Sequence, residues 1–167
     1  HRQAKIDKII AAGLSIEGVC FPTEHLYNSK GVFIGYLMPK AEGEKLGTSV
    51  FRGEKGMKKF FGNWSRSDLV TLAITILSTI KKIHDLGILI GDINGLNILV
   101  KSPTEVYFVD TDSFQINEYP CPVGTSDFTA PEIQGKDYKY FLRSVGNENF
   151  AIAVLLFKLL MFGESPY

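Results

Sequence analysis

The sequence has two cysteines, no net charge and no apolar run long enough to cross a bilayer. Cys20 and Cys121 are too few for a disulfide framework, and their separation fits no zinc motif. Two free thiols in a reducing, cytoplasmic setting are expected. The 18 basic and 18 acidic residues cancel. That argues against a nucleic acid or a membrane surface as a partner held by bulk charge. The longest apolar run, "FAIAVLLFKLLMF" from Phe150 to Phe162, is interrupted by Lys158. It is too short to span hydrocarbon, so a buried helix is expected. There is no internal repeat and no low-complexity tract. The chain begins at His1 without a methionine or signal peptide and stops at Tyr167, straight after that run. A piece of a longer protein is the expectation.

What is present is ordinary for a globular protein: 167 residues, 45% hydrophobic and 22% charged. This is enough for one domain with a sizeable core. Residues 4–12, "AKIDKIIAA", place Ile6, Ile9 and Ile10 on one face and predict a short helix stopped by Gly13. "GVFIGYLMPK" (31–40) predicts a strand ended by Pro39. Residues 41–63, rich in Gly, Lys and Glu, predict a surface connection. Leu69, Leu72, Ala73, Ile76, Leu77, Ile80 and Ile83 then recur at spacings of three and four. They predict a long helix from an N-cap at Ser67 to a stop at Gly87. "NILVK" (97–101) and "VYFVDT" (106–111) predict a hairpin across the turn "SPTE". Residues 113–147 predict irregular structure, and a buried helix follows over 149–162.

Inside the apolar stretch "ILIGDINGLNILV" lie Asp92, Asn94 and Asn97. A carboxylate buried there without compensation costs several kcal/mol, roughly the penalty for an unpaired buried ion. Asn97 follows Asp92 by five residues and precedes Asp110 by thirteen. Asn97 opens one predicted strand and Asp110 closes the other, so both emerge at the same end of the hairpin. An amide oxygen and a carboxylate there suit Mg²⁺ whose shell is completed by substrate phosphates. Asp92, on the loop before the first strand, could orient a substrate hydroxyl and accept its proton.

At this point the sequence resembles the protein kinase superfamily. "GDINGLNILV" resembles the catalytic loop, Asp-x-x-x-x-Asn followed by an apolar strand. "VDTD" stands where the metal-binding Asp-Phe-Gly belongs. "GTSDFTAPE" (124–132) resembles the end of an activation segment, with Gly124, Thr125, Phe128, Ala130, Pro131 and Glu132 at the family's positions. "FIGYLMPKAEGEKL" resembles the strand leading to the adenine hinge, and "ENFAIAVLLFKLL" the buried helix after the activation segment. The resemblance implies an α+β, protein kinase-like fold, mainly the helical C-lobe with the hinge and last strands of the N-lobe. Residues 1–40 would be a remnant of the N-lobe, and 41–167 a C-lobe truncated after the buried helix. It implies Asp92 as the positioning base, with Asn94 and Thr125 beside it in the catalytic set. Asn97 and Asp110 would be metal ligands. Leu37 would be the gatekeeper before a hinge at Met38 to Lys40, and Leu99 would lie under the adenine. ATP and Mg²⁺ follow as cofactors and a protein as substrate.

The departures are as specific as the matches. The family's His-Arg before the catalytic Asp is Ile90-Gly91, so no arginine there can receive an activation-loop phosphate. The resemblance then implies activity independent of such a switch. The family's lysine two residues after the Asp is Asn94, which removes a positive charge from the transferring phosphate. Asp112 replaces the glycine of Asp-Phe-Gly; a turn or capping carboxylate is expected there, with help to a second metal as the alternative. Glu148 stands where the family anchors the catalytic loop with an aspartate. Glu132 is expected to be structural, and His25 and His84 to be surface or helix-end residues. No glycine-rich phosphate loop and no lysine-bearing strand precede residue 31. The helix around Ile6 to Ala12 would be the regulatory helix, with Gln3 and Asp7 poor substitutes for its glutamate. No arginine lies between Ile93 and Leu96, which implies a Ser/Thr rather than a Tyr acceptor. A pseudokinase acting as a binding or regulatory module is the alternative, and a small-molecule kinase a weaker one.

Overall fold

Apolar side chains spaced by three and four residues decide where the helices pack, and the computed structural model describes residues 2–167. The elements are α1 (Arg2–Ala11), β1 (Glu24–Tyr27), β2 (Phe33–Leu37), β3 (Glu44–Lys45), α2 (Gly53–Phe61), α3 (Arg66–Asp85), β4 (Ile98–Ser102), β5 (Glu105–Phe108) and α4 (Val145–Leu160). Antiparallel β1 and β2 form one small sheet, and β3, β4 and β5 form a second in that spatial order. In the second sheet Leu99 lies opposite Tyr107 on one side and Lys45 on the other.

The long helix α3 buries Leu69, Leu72, Ala73, Ile76, Ile80 and Ile83 along one face. Its N-cap is Ser65, two residues before the expected Ser67. Ser65 and Asp68 close a capping box, in which each side chain satisfies the other's backbone N–H. In the same way α4 begins at Val145, because Ser144 caps Asn147 reciprocally. The apolar run that signals this helix starts only after that polar first turn. Leu155 and Leu159 are completely buried, and they join α3, Val100 and Phe108 in one core.

Two parts differ from expectation. The strand β1 pairs with β2, although its residues "EHLY" are mostly exposed and carry no alternating apolar signal. Residues 41–63 are more than a surface connection. They contain β3, two 3-10 turns and α2, and they bury Leu46, Val50 and Met57. Gly47 donates its N–H to the Gly95 carbonyl at 2.7 Å. A Cβ on Gly95 would stand 2.8 Å from Gly47 N, so this close approach excludes a side chain. The segment therefore braces the loop that carries Asp92. Its three apolar anchors are too sparse among Gly, Lys and Glu to show a period. No described helix is long and apolar enough to cross a membrane.

Truncating Leu155 to Ala is expected to cost about 2–5 kcal/mol, the range for emptying a filled core site. Urea denaturation followed by circular dichroism measures it.

Candidate active site

The site starts from a carboxylate under a loop. Glu148, in the first turn of α4, is 2% exposed. Its Oε1 accepts from the backbone N–H of Ile90 at 3.0 Å, and its Oε2 from that of Gly91 at 2.7 Å. His84, in the last turn of α3, places Nε2 2.7 Å from Oε1. The extra methylene of Glu over Asp is accommodated, and the carboxylate reaches both amides. His84 is a helix-end residue as expected, and in addition it meets this buried acid.

Beyond Gly91 the loop folds on its own polar side chains. The Asn94 side-chain carbonyl accepts from Leu96 N at 2.8 Å and Asn97 N at 3.2 Å, an Asx-type turn. The Asn94 amide donates to the Asp92 carbonyl at 3.3 Å and to Thr125 Oγ1 at 3.2 Å. Asn94 is thus a brace of the loop, with its donors and acceptor turned inward. Asn97 donates through Nδ2 to the Asp92 carbonyl at 3.1 Å and to Asp92 Oδ2 at 3.4 Å. Thr125 donates to Asp92 Oδ1 at 2.8 Å. Asp92, Asn94, Asn97 and Thr125 therefore form one connected set. The polar residues inside the apolar stretch have partners, which removes most of the cost of placing them there.

The hairpin brings Asp110 to this set. Val109 donates its N–H to the Asn97 carbonyl at 3.0 Å, so Asp110 lies one residue past the partner of Asn97. Its backbone is left-handed, φ 59°, a conformation that Asp tolerates better than most residues. Asp110 is an exposed residue, yet its carboxyl is raised above the usual range. Partial burial is the main cause; the Ser113 hydroxyl opposes it, and the charges of Asp112 and Asp92 add to it. Among the described residues no hydrogen bond falls on the Asn97 side-chain oxygen. The donor set, amide and carboxylate oxygen, fits Mg²⁺.

The three residues expected to contact adenine are spread over both sheets. Leu37 and Met38 are 46% and 45% exposed at the end of β2, and Leu99 is half-buried in β4. Asp112 sits in the 3-10 turn Thr111–Ser113, a turn residue as expected, though its side chain caps no helix. It is 7% exposed, its Oδ2 pairs with the Arg2 guanidinium at 2.7 Å, and its Oδ1 accepts from the Tyr36 hydroxyl at 2.6 Å. It joins α1 and β2 to the segment after Asp110. Burial, then the hydrogen bond to Asp112, raises the Tyr36 hydroxyl well above its ordinary value. Asp7 of α1 pairs with His25 at 2.7 Å, and Glu132 accepts from Asn147 at 2.9 Å.

No protein-family model matches the chain. Protein kinase YegI, from Escherichia coli strains O157:H7 and K12, is 31% identical over 155 residues, which is 89% of this chain. The serine/threonine-protein kinase PSK2 of Saccharomyces cerevisiae is 32% identical over 96 residues, 55% of this chain and 8% of that protein. Among solved structures, the crystal structure of the yeast RNA Pol II CTD kinase CTDK-1 complex matches with a TM-score of 0.66. That match has 19% identity and covers 93% of this chain and 48% of that one. The chain is a divergent protein kinase-like domain. Its fold is α+β with two small sheets, as the resemblance implied. It spans 24% of the length of the Escherichia coli relatives.

In this kinase-like domain the residue pairs that sequence reasoning missed lie far apart along the chain. His84 meets Glu148 across 64 residues. Position in the last turn of a helix was its only signal. Replacing Glu148 by Ala is expected to destabilise the domain by about 3–5 kcal/mol, as when one member of a buried charged network is removed. His84→Ala leaves both loop amides bound and is expected to cost about 1 kcal/mol. Urea melts of the two variants measure the difference.

Proposed function

We propose that this domain transfers the terminal phosphoryl group of ATP to a serine or threonine hydroxyl of a protein. The observation that carries the reading is the web joining Asp92, Asn97 and Thr125, with Asp110 placed beside it by the hairpin. ATP would supply the phosphoryl group, and Mg²⁺ the neutralisation of its charge. Asn97, through its side-chain oxygen, and Asp110 are the residues suited to hold that ion. Thr125 and Asn97 fix the two oxygens of Asp92. The carboxylate is thereby aimed to orient the acceptor hydroxyl and take its proton. Asn94 contributes by shaping the loop and holding Thr125. Leu37, Met38 and Leu99 would border the adenine. In this reading residues 1–40 belong to an N-lobe and 41–167 to a C-lobe, with His1 outside the described residues.

One observation favours a second reading, a nucleotide-binding regulatory module without transfer. Asn94 is 7% exposed and its amide is turned onto Asp92 and Thr125. The cationic donor that the family places at this position is absent. Charge stabilisation of the moving phosphoryl group is therefore weaker here.

The test is transfer from γ-labelled ATP to a mixed protein substrate by the full-length protein. Asp110→Ala is expected to lower transfer at least about a hundredfold, the scale for losing one preorganised electrostatic contact. Unchanged transfer in that variant would refute the assignment. If the unaltered protein transfers nothing, yet ATP raises its Tm only when Mg²⁺ is present, the second reading is the correct one.

A further inference from the structure

The segment from Ser113 to Thr125 has almost no regular structure, yet much of its backbone is anchored by two buried cations. Lys5 of α1 is 6% exposed. Its Nζ donates to the carbonyls of Ser113, Phe114 and Pro120 at 3.0, 2.9 and 2.8 Å. Those three bonds use every proton an ammonium has. Arg143, just before α4, is also 6% exposed. Its Nη1 donates to the Cys121 carbonyl at 2.8 Å, and its Nη2 to the Val123 carbonyl at 2.6 Å. The guanidinium lies 4.2 Å from the centre of the Tyr138 ring. Its backbone is clasped in turn by Gln115, which accepts from Arg143 N at 2.7 Å and donates to Arg143 O at 2.8 Å.

Gly91 explains why the guanidinium comes from there. A Cβ at Gly91, where φ is +77°, would meet Cys121 Cβ at 2.3 Å and Arg143 Nη1 at 3.3 Å. Arg143 therefore occupies, from another part of the chain, the neighbourhood of the position where the resembled family carries its arginine. Its partners are carbonyls, which are present at all times. A phosphate switch works by giving an unpaired cation a partner. Both cations here already have theirs.

We propose that Lys5 and Arg143 are positioning residues that hold this segment, and through Thr125 the Asp92 carboxylate, in one arrangement without phosphorylation. This deepens the phosphotransfer reading and rests on it for its consequence, though not for its geometry. Val123 is two residues from Thr125, so the anchor and the hydrogen bond to Asp92 are nearly contiguous. Loss of the anchor loosens the platform a protein substrate would meet, and leaves the nucleotide side in place.

Cys121 reports on the anchor, because it lies within the segment, fully buried and with its carbonyl held by Arg143, whereas Cys20 is 1% exposed outside it and bonded by its backbone to Phe108. Full-length protein is treated with a maleimide, and the labelling rate of each cysteine peptide is followed by mass spectrometry. Arg143→Met and Lys5→Met are each expected to speed labelling of Cys121 at least tenfold with Cys20 unchanged. Arg143→Lys, which keeps the charge and loses the fork, should give an intermediate rate. Phosphatase treatment of the unaltered protein should leave both rates as they were, and in Lys5→Met and Arg143→Met KM for the protein substrate should rise more than KM for ATP. Equal acceleration at Cys20 and Cys121 would mean global loosening and overturn the proposal. So would an unchanged Cys121 rate in Lys5→Met and Arg143→Lys, or a rise after phosphatase alone. An unaltered protein that transfers no phosphate but shows the expected labelling pattern refutes the phosphotransfer reading and leaves the anchor standing.

Discussion

A single buried carboxylate organises the centre of this domain. Glu148 holds the amides of Ile90 and Gly91, and its own helix packs against α3, with Leu155 and Leu159 in the common core. The loop that carries Asp92 is thus fixed to the core by backbone groups. A buried acid is stable there because His84 and two N–H donors surround it.

Above that anchor, order is passed along by hydrogen bonds between short polar side chains. Asn94 closes the turn, Asn97 and Thr125 clamp Asp92, and the β4–β5 hairpin sets Asp110 next to Asn97. The residues expected at the reaction centre come from three segments separated by up to 33 positions. The rigidity of each depends on the others, since none of them is held by packing alone. Preorganisation of this sort is what phosphoryl transfer asks of a protein, because most of the catalysis is positioning and charge.

The helix α1 carries a second kind of order. Arg2, Lys5 and Lys8 recur at a spacing of three and point to one side. They meet Asp112, a trio of carbonyls, and Glu118 with the Tyr119 ring. Ile6 and Ile9 on the adjacent face are buried in the core. The helix therefore joins the core to Asp112 and to the irregular segment that follows it. Asp112, which departs from the family's glycine, finds its explanation in this contact.

By itself the sequence determined the helices α1, α3 and α4, the β4–β5 hairpin, the irregular stretch between hairpin and last helix, and the nearness of Asp92 to Asn97. Each of these rests on local regularity: a period in the apolar residues, a turn, or a motif of fixed spacing. The tertiary structure alone decided that residues 41–63 fold and brace the loop, since Leu46, Val50 and Met57 become a face only once they touch the core. It also decided the partners of Asp112, His84, Lys5 and Arg143, which lie from 20 to 115 residues away. A charged side chain buried by folding is matched by whatever polar group the chain returns to it. No spacing rule along the sequence encodes that return.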